Sequence, residues 1–284
     1  MGVTSVGTTA NIQSAIALAS RKTGIDFNYL MGQAQVESGF RADAHASTSS
    51  ASGLYQFVEQ SWLGVVKAHG AEHGLGWAAD SISQTSTGRY VVSDPATRRA
   101  ILGLRNDPQA AALMAAEHAS DNKDALEGSL GRSATGADLY MAHFLGLGGA
   151  RSFLTAMDNN PDRIAANMFP AAARGNRSVF YTANGQPRTL QEVYSRLSGK
   201  LDAGAAAVGA TGLASSAPAP GVDWSAALGA GGEVVVGNGA TNGDAQWLNS
   251  TLANLNSLKE PINPMRPTPA TAKLAYLLLA GLGV

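Results

Sequence analysis

Apolar residues recur at intervals of three and four along most of the first two hundred positions, the period of helices that turn one face to a core, and sustained period-two alternation is almost absent. Ile12, Ala15, Ile16 and Ala19 place a helix over 11–20, with Gly24 as its stop. A second helix, 26–37, carries Leu30, Ala34 and Glu37 at i, i+4 and i+7, so a carboxylate shares the face turned to the core. A third is expected over 54–68, through Leu54, Phe57, Val58, Ser61, Val65 and Val66, ended by Gly70. Residues 69–93 are rich in Gly and Ser and lack a period, which reads as an irregular excursion. Ser93-Asp94-Pro95 and Asn106-Asp107-Pro108 each pair an N-cap residue with a first-turn Pro, opening helices over 96–104 and 109–120. Helical pattern returns over 135–147, 151–157 and 190–201. The fold class that follows is mainly α.

The composition changes after Leu201. Residues 203–243 are dominated by Ala, Gly, Ser and Pro and read as a linker, which divides the chain into a compact domain over 1–202 and a tail over 244–284. In the tail, Trp247, Leu248, Leu252, Leu255 and Leu258 suit a short amphipathic helix over 245–258, and four prolines precede an apolar stretch over 274–282. Such a terminus can dock on its own domain or bind a partner protein or membrane surface.

The whole chain has 284 residues, 45% hydrophobic and 14% charged, enough for one sizeable core with an appendage. Its net charge of -1 gives no electrostatic case for a nucleic-acid or anionic-membrane partner. The absence of cysteine excludes disulfides, thiolate catalysis and Cys-ligated metals. No apolar run approaches the ~20 residues of a membrane span. The first residues lack the basic and apolar regions of a secretory signal, which suggests a mature form, non-classical export or phage-type delivery.

Glu37 is the candidate for chemistry. Burial disfavours an ionised carboxylate and can lift a Glu from about 4.3 to about 6, leaving a proton to donate near neutral pH. That proton is what cleavage of a glycosidic bond requires. An ordinary helix-end Glu reaching for water is the bland alternative.

Glu37-Ser38, with Ser47 ten residues on and then Ala51-Ser52-Gly53-Leu54-Tyr55-Gln56, resembles the signature of soluble-type lytic transglycosylases, enzymes with a lysozyme-like domain that cut the glycan strand of peptidoglycan. The resemblance covers residues 11 to about 200. It implies Glu37 as catalytic acid and a substrate-binding set of Ser38, Ser47, Gly53, Tyr55, Gln56, His143 and Tyr181. Ser38 can brace the helix end. Ser47 matches a hydroxyl near the substrate, although the loop from Glu37 is one residue longer than the usual pattern. Gly53 lets the backbone turn or approach a sugar. Tyr55 would wall the cleft or pack in the core, and Gln56 would hydrogen-bond an N-acetyl group or the acid.

Where many members carry Ala-Tyr-Asn-Ala-Gly, this chain has Ala142-His143-Phe144-Leu145-Gly146, a variant similar to a divergent branch of the superfamily. His143 stands in the Tyr position, as a donor to Glu37 or to the glycan, or as a packed helix His. A further cleft tyrosine is assigned to Tyr181, with Tyr194 as second choice. Asp43 and Glu59 are close in sequence to Glu37 but lie in stretches that read as solvent-facing, so no second carboxylate is expected opposite it. The resemblance then implies the non-hydrolytic route, which closes a 1,6-anhydro ring and needs no cofactor. His45, His69, His73 and His118 raise a metal alternative, weakened by the glycines around His69 and His73 and by the lack of a clear third ligand. Partners implied are the glycan strand and, through the tail, an envelope machine such as a flagellum or secretion system, in the periplasm or cell envelope. A hydrolytic muramidase, a phage-type endolysin and a non-catalytic glycan-binding or scaffold module are the alternatives.

Overall fold

A computed structural model describes residues 3–47 and 49–216. Among them the protein is mainly helical, as the apolar period predicts. The tail over 244–284 and all but the start of the linker lie outside the described residues, and so do the helix and docking readings made on them.

Helix α1 (Val3–Thr23) is longer at its start than expected, running through Thr, Val and Gly positions that disfavour a helix on their own. Gly24, at φ 74°, ends it. Asp26 caps α2 (Phe27–Ser38) by accepting from the Tyr29 backbone N–H. Asp94 and Asp107 cap α5 (Pro95–Gly103) and α6 (Pro108–Leu130) in the same way, each with proline in the first turn. Capping boxes at Thr135 and Thr189 open α7 (Gly136–Asn159) and α11 (Leu190–Ala207). Helix α7 is kinked at Gly146 (φ 72°, ψ 160°), close to the gap between its two expected halves.

Helix α6 runs to Leu130, beyond the expected end at 120, and α11 runs to Ala207, into the expected linker, while two further stretches differ in kind from the sequence expectation. Helix α3 begins at Glu59, not near Leu54, because Gln56 adopts φ 48° and residues 52–57 close on themselves through a Ser52–Phe57 bridge. The excursion over 69–93 is ordered: a 3₁₀ turn (Gly70–His73), α4 (Gly76–Ser81), and a hairpin of β1 (Ser83–Gln84) and β2 (Tyr90–Val91). Gly70 continues the helical path into that turn and does not stop it. Short helices α8 (Ala165–Met168), α9 (Pro170–Gly175) and α10 (Arg177–Phe180) fill the span before α11.

The core is continuous, with α1 on α6 and α11 on both α2 and α7. Trp62 and Leu30 are fully buried, and the Trp62 indole donates to the Ile101 carbonyl at 2.8 Å. The α2–α11 seam is set by Gly32, where a Cβ would lie 2.7 Å from the Leu201 carbonyl oxygen. Gly204 extends the same seam, where a Cβ would lie 3.0 Å from the Gly32 carbonyl oxygen. The first linker residues pack back as well. Ala214 is buried, Ser215 donates to Asp202, and the Ser215 and Ser216 carbonyls accept from the first turn of α7. Among the described residues no helix is long and apolar enough to cross a membrane.

Candidate active site

Glu37 lies in the last turn of α2, one turn beyond the buried Ala34, and is half-buried. The helix stops just past it. Gly39 takes the left-handed conformation at φ 63°, and Phe40 follows at φ 64°. Two left-handed residues in succession turn the chain sharply away, and a bulky residue holds such a φ only where its surroundings enforce it. Ser38 is part of that enforcement: its buried hydroxyl donates to the Ala34 carbonyl at 2.9 Å and accepts from the Arg41 N–H at 3.1 Å. It braces the helix end, and its hydroxyl is engaged within the protein on both sides.

Helix α7 supplies the partners. The Tyr140 hydroxyl donates to Glu37 Oε1 at 3.0 Å, and His143 Nε2 lies 3.5 Å from the same oxygen, at the outer limit of a hydrogen bond. Tyr140 and His143 are one helical turn apart and stack with ring centroids 5.9 Å apart. The sequence reading placed His143 near Glu37 and missed Tyr140. The i, i+3 spacing of a Tyr and a His on one helix was the available signal.

Burial pushes the Glu37 carboxyl up, but hydrogen bonding and charge from His143, the Tyr140 hydrogen bond and the Lys200 charge together outweigh it. The net shift is downward, which corrects the expectation of a raised value. The same proximity, after burial, drives the Tyr140 hydroxyl far above the ordinary phenol range. The groups that shift Glu37 are His143, Tyr140 and Lys200, and none is a carboxylate. Glu59, read as solvent-facing, is half-buried and paired with Arg98, while Asp43 is exposed.

The Gly53–Gln56 block serves the loop. Gly53, at φ 81°, is pressed against Arg105, where a Cβ would stand 1.8 Å from the carbonyl oxygen, so the close approach is to the protein's own backbone and not to a sugar. Arg105 in turn donates to the Phe57 carbonyl at 3.0 Å. The Gln56 side-chain amide donates to the Ala44 and Gly53 carbonyls, at 3.1 and 2.9 Å, and its oxygen has no partner among the described residues. Tyr55 does not wall a cleft: its side chain is 1% exposed and its hydroxyl donates to the Leu30 carbonyl, with burial raising its ionisation well above the usual range. Ser47 is exposed and hydrogen-bonds none of the described residues.

Tyr181 sits beneath the Arg177 guanidinium, 4.7 Å from its ring centroid, at the edge of a pocket of about 420 Å³. Tyr194 belongs elsewhere, donating to the fully buried Asp138 at 2.9 Å.

The remaining histidines divide. His45 hydrogen-bonds Ser52 at 2.9 Å and pins the loop, and burial holds His118 below the ordinary imidazole range. His73 meets Glu117 of α6 at 2.6 Å, and His69 meets Asp121 at 3.0 Å. Glu117 is the third group that the sequence reading did not find near the pair. His69, Glu72 and Glu117 offer one ligand atom each within 4.8 Å of one another and are the residues that could hold an ion. As they stand, their mutual pairing ties the 3₁₀ turn to α6. No protein-family model matches this chain.

Proposed function

We propose that the protein is a peptidoglycan lytic transglycosylase with Glu37 as its sole acid and base. The observation that carries this reading is a half-buried carboxylate held through one oxygen by Tyr140 and His143, with no carboxylate among the groups that shift it. Hydrolytic glycosidases set a second carboxyl about 5 to 9.5 Å away to activate water or form a covalent intermediate. With one carboxylate, protonated Glu37 gives its proton to the oxygen joining N-acetylmuramic acid to N-acetylglucosamine, and the bond from C1 to that oxygen breaks. The substrate's N-acetyl oxygen assists departure at C1. Ionised Glu37 then takes the proton from the muramyl 6-hydroxyl as its oxygen closes on C1, giving the 1,6-anhydro ring and restoring the acid. No water is consumed.

The ligand-free carboxyl, held low, is in the base form at neutral pH, so the cycle needs a proton before bond cleavage. Burial is the largest single influence on Glu37, and a glycan that draws away the His143 hydrogen bond removes its leading opponent. Substrate binding is therefore expected to favour uptake of a proton by Glu37. Calorimetry in buffers of different ionisation heat measures that proton, which is absent in Glu37→Gln. Mass spectrometry of digested wall decides the reaction: 1,6-anhydro-muramyl ends are expected, and reducing ends alone would show a hydrolytic muramidase. The envelope is where this substrate lies.

A further inference from the structure

His69 ends α3, Glu72 and His73 follow in the 3₁₀ turn, and Glu117 and Asp121 lie one turn apart on α6. The 3₁₀ turn continues the path of α3, and that path returns Glu72 to the side of His69, three residues earlier. The chemistry proposed for Glu37 uses none of these five side chains.

The hydrogen bonds of the cluster fix where the protons are. His69 Nε2 lies 3.0 Å from Asp121 Oδ2, and an ionised carboxylate only accepts, so the ring proton is on Nε2. Nδ1 then presents a lone pair, with Glu117 Oε2 at 3.6 Å and Glu72 Oε1 at 3.9 Å. Neither distance is a hydrogen bond, so a second proton on that ring would find no acceptor here. Three acceptor atoms face one another, and they repel unless a cation lies between them. No lysine or arginine among the described residues pairs with Glu72, Glu117 or Asp121. His73 supplies no charge to the gap either. Its side chain is only 6% exposed, its Nε2 donates to Glu117 Oε1 at 2.6 Å, and its Nδ1 is buried without a partner. A proton on that Nδ1 would be a buried, unpaired donor, so the ring keeps its one proton on Nε2.

We propose that His69 Nδ1, Glu72 Oε1 and Glu117 Oε2 bind a divalent transition-metal ion, zinc above all, with water in a fourth position beside the exposed Glu72. Tetrahedral zinc holds N and O atoms at about 2.0 to 2.2 Å, which sets them about 3.3 to 3.6 Å apart. The separation of His69 from Glu117 already matches, and Glu72, 66% exposed, is free to close the rest. Behind the ligands stand the partners that metal sites need: Asp121 orients the imidazole, and His73 orients the Glu117 carboxylate. Imidazole with few oxygens suits zinc, whereas calcium and magnesium take six or more oxygen ligands. The two histidines at i, i+4 thus divide the work, one as ligand and one as support. The ion ties the end of α3 and the 3₁₀ turn to α6.

The test uses full-length protein without an affinity tag, stripped of metal by a chelator and titrated with zinc chloride against a chromophoric competitor. One zinc per chain is expected, with a Kd of about 1 μM or below. Zinc at about 100 μM should raise the melting temperature by about 5 °C, and calcium or magnesium at that concentration should not. Glu72→Gln changes an exposed side chain and leaves the fold intact, and it should weaken zinc binding at least about tenfold. His69→Gln should abolish binding, and Asp121→Asn should weaken it about tenfold by releasing the imidazole. X-ray absorption of the loaded protein should show a single imidazole among oxygen ligands. Failure of the wild type to bind zinc at about 100 μM, or an affinity unchanged in Glu72→Gln and His69→Gln, would overturn the inference. Binding lost in His143→Gln and kept in His69→Gln would place the ion at Glu37 and overturn it as well.

Discussion

Glu37 and Asp138 both accept from a tyrosine hydroxyl, and the contrast between them separates the proposed reactive acid from a structural one. Each takes a tyrosine hydroxyl, and each has a cation nearby. Asp138, at the start of α7, is completely buried and accepts from Arg132 at 2.6 Å, the Thr135 N–H at 2.9 Å and the Tyr194 hydroxyl at 2.9 Å. Both of its oxygens are engaged. Glu37 uses only Oε1, toward Tyr140 and His143, and Oε2 has no partner among the described residues. A carboxylate with every acceptor site filled cannot exchange a proton with a substrate. One held by a single oxygen keeps its orientation and leaves the other free.

Substitution of each acid gives the largest expected effects, and they should fall on different measurements. Glu37→Gln is expected to lower lytic activity by at least about a thousandfold while glycan binding and melting temperature stay near those of the wild type. Asp138→Asn should do the reverse, costing about 3 kcal/mol of stability by stranding Arg132 and Tyr194 beside a neutral amide, with activity retained per folded molecule. A thermal melt and a turbidity assay on both variants suffice. Large activity loss in folded Asp138→Asn, or a large stability loss in Glu37→Gln, would erase the distinction.

What could be read from the sequence tracks how local each determinant is. The caps at Asp26, Asp94 and Asp107 depend on a few consecutive residues, so α2, α5 and α6 were placed near their true starts. The place of Glu37 at the end of α2 and the bracing role of Ser38 were legible for the same reason. Leu54, Phe57 and Val58 have helical spacing but form a closed turn, because Arg105, fifty residues on, presses its carbonyl against Gly53. Motif position also says nothing of depth: Tyr55 matches a cleft residue and is sealed in the core. Tyr140 and Glu117 were missed because their roles depend on which face α7 or α6 turns to a distant element.

The Tyr140 hydroxyl sharpens the comparison further. Tyr140→Phe removes the one short hydrogen bond to Glu37 and keeps the ring that stacks on His143. Activity is expected to fall about tenfold, chiefly in kcat, because Glu37 loses its orientation while the core keeps its volume. The matching change at the other acid, Tyr194→Phe, should cost about 1 kcal/mol of stability and leave kcat alone. Equal kinetic losses in the two variants would show that neither tyrosine distinguishes the acids.

His143 offers the smallest and most diagnostic change. Its hydrogen bond and charge are the leading opponents of burial at Glu37, so His143→Gln should move the Glu37 carboxyl upward from its depressed value. The sign follows from linkage. A carboxyl held below its unfolded value, about 4.3, stabilises the fold above that pH, and the contribution is lost as pH falls through the lower folded value. In wild type, acidification through and below the ordinary carboxylate range therefore removes a Glu37 contribution. In His143→Gln that contribution shrinks or reverses, so the difference in stability between the two proteins should narrow over the same acidic interval. Denaturant melts at several pH values give the slope, and carbon NMR of labelled glutamate gives the titration of Glu37 directly. An unchanged Glu37 titration would mean that the imidazole at 3.5 Å does not act on the acid, leaving Tyr140 and Lys200 to hold it low.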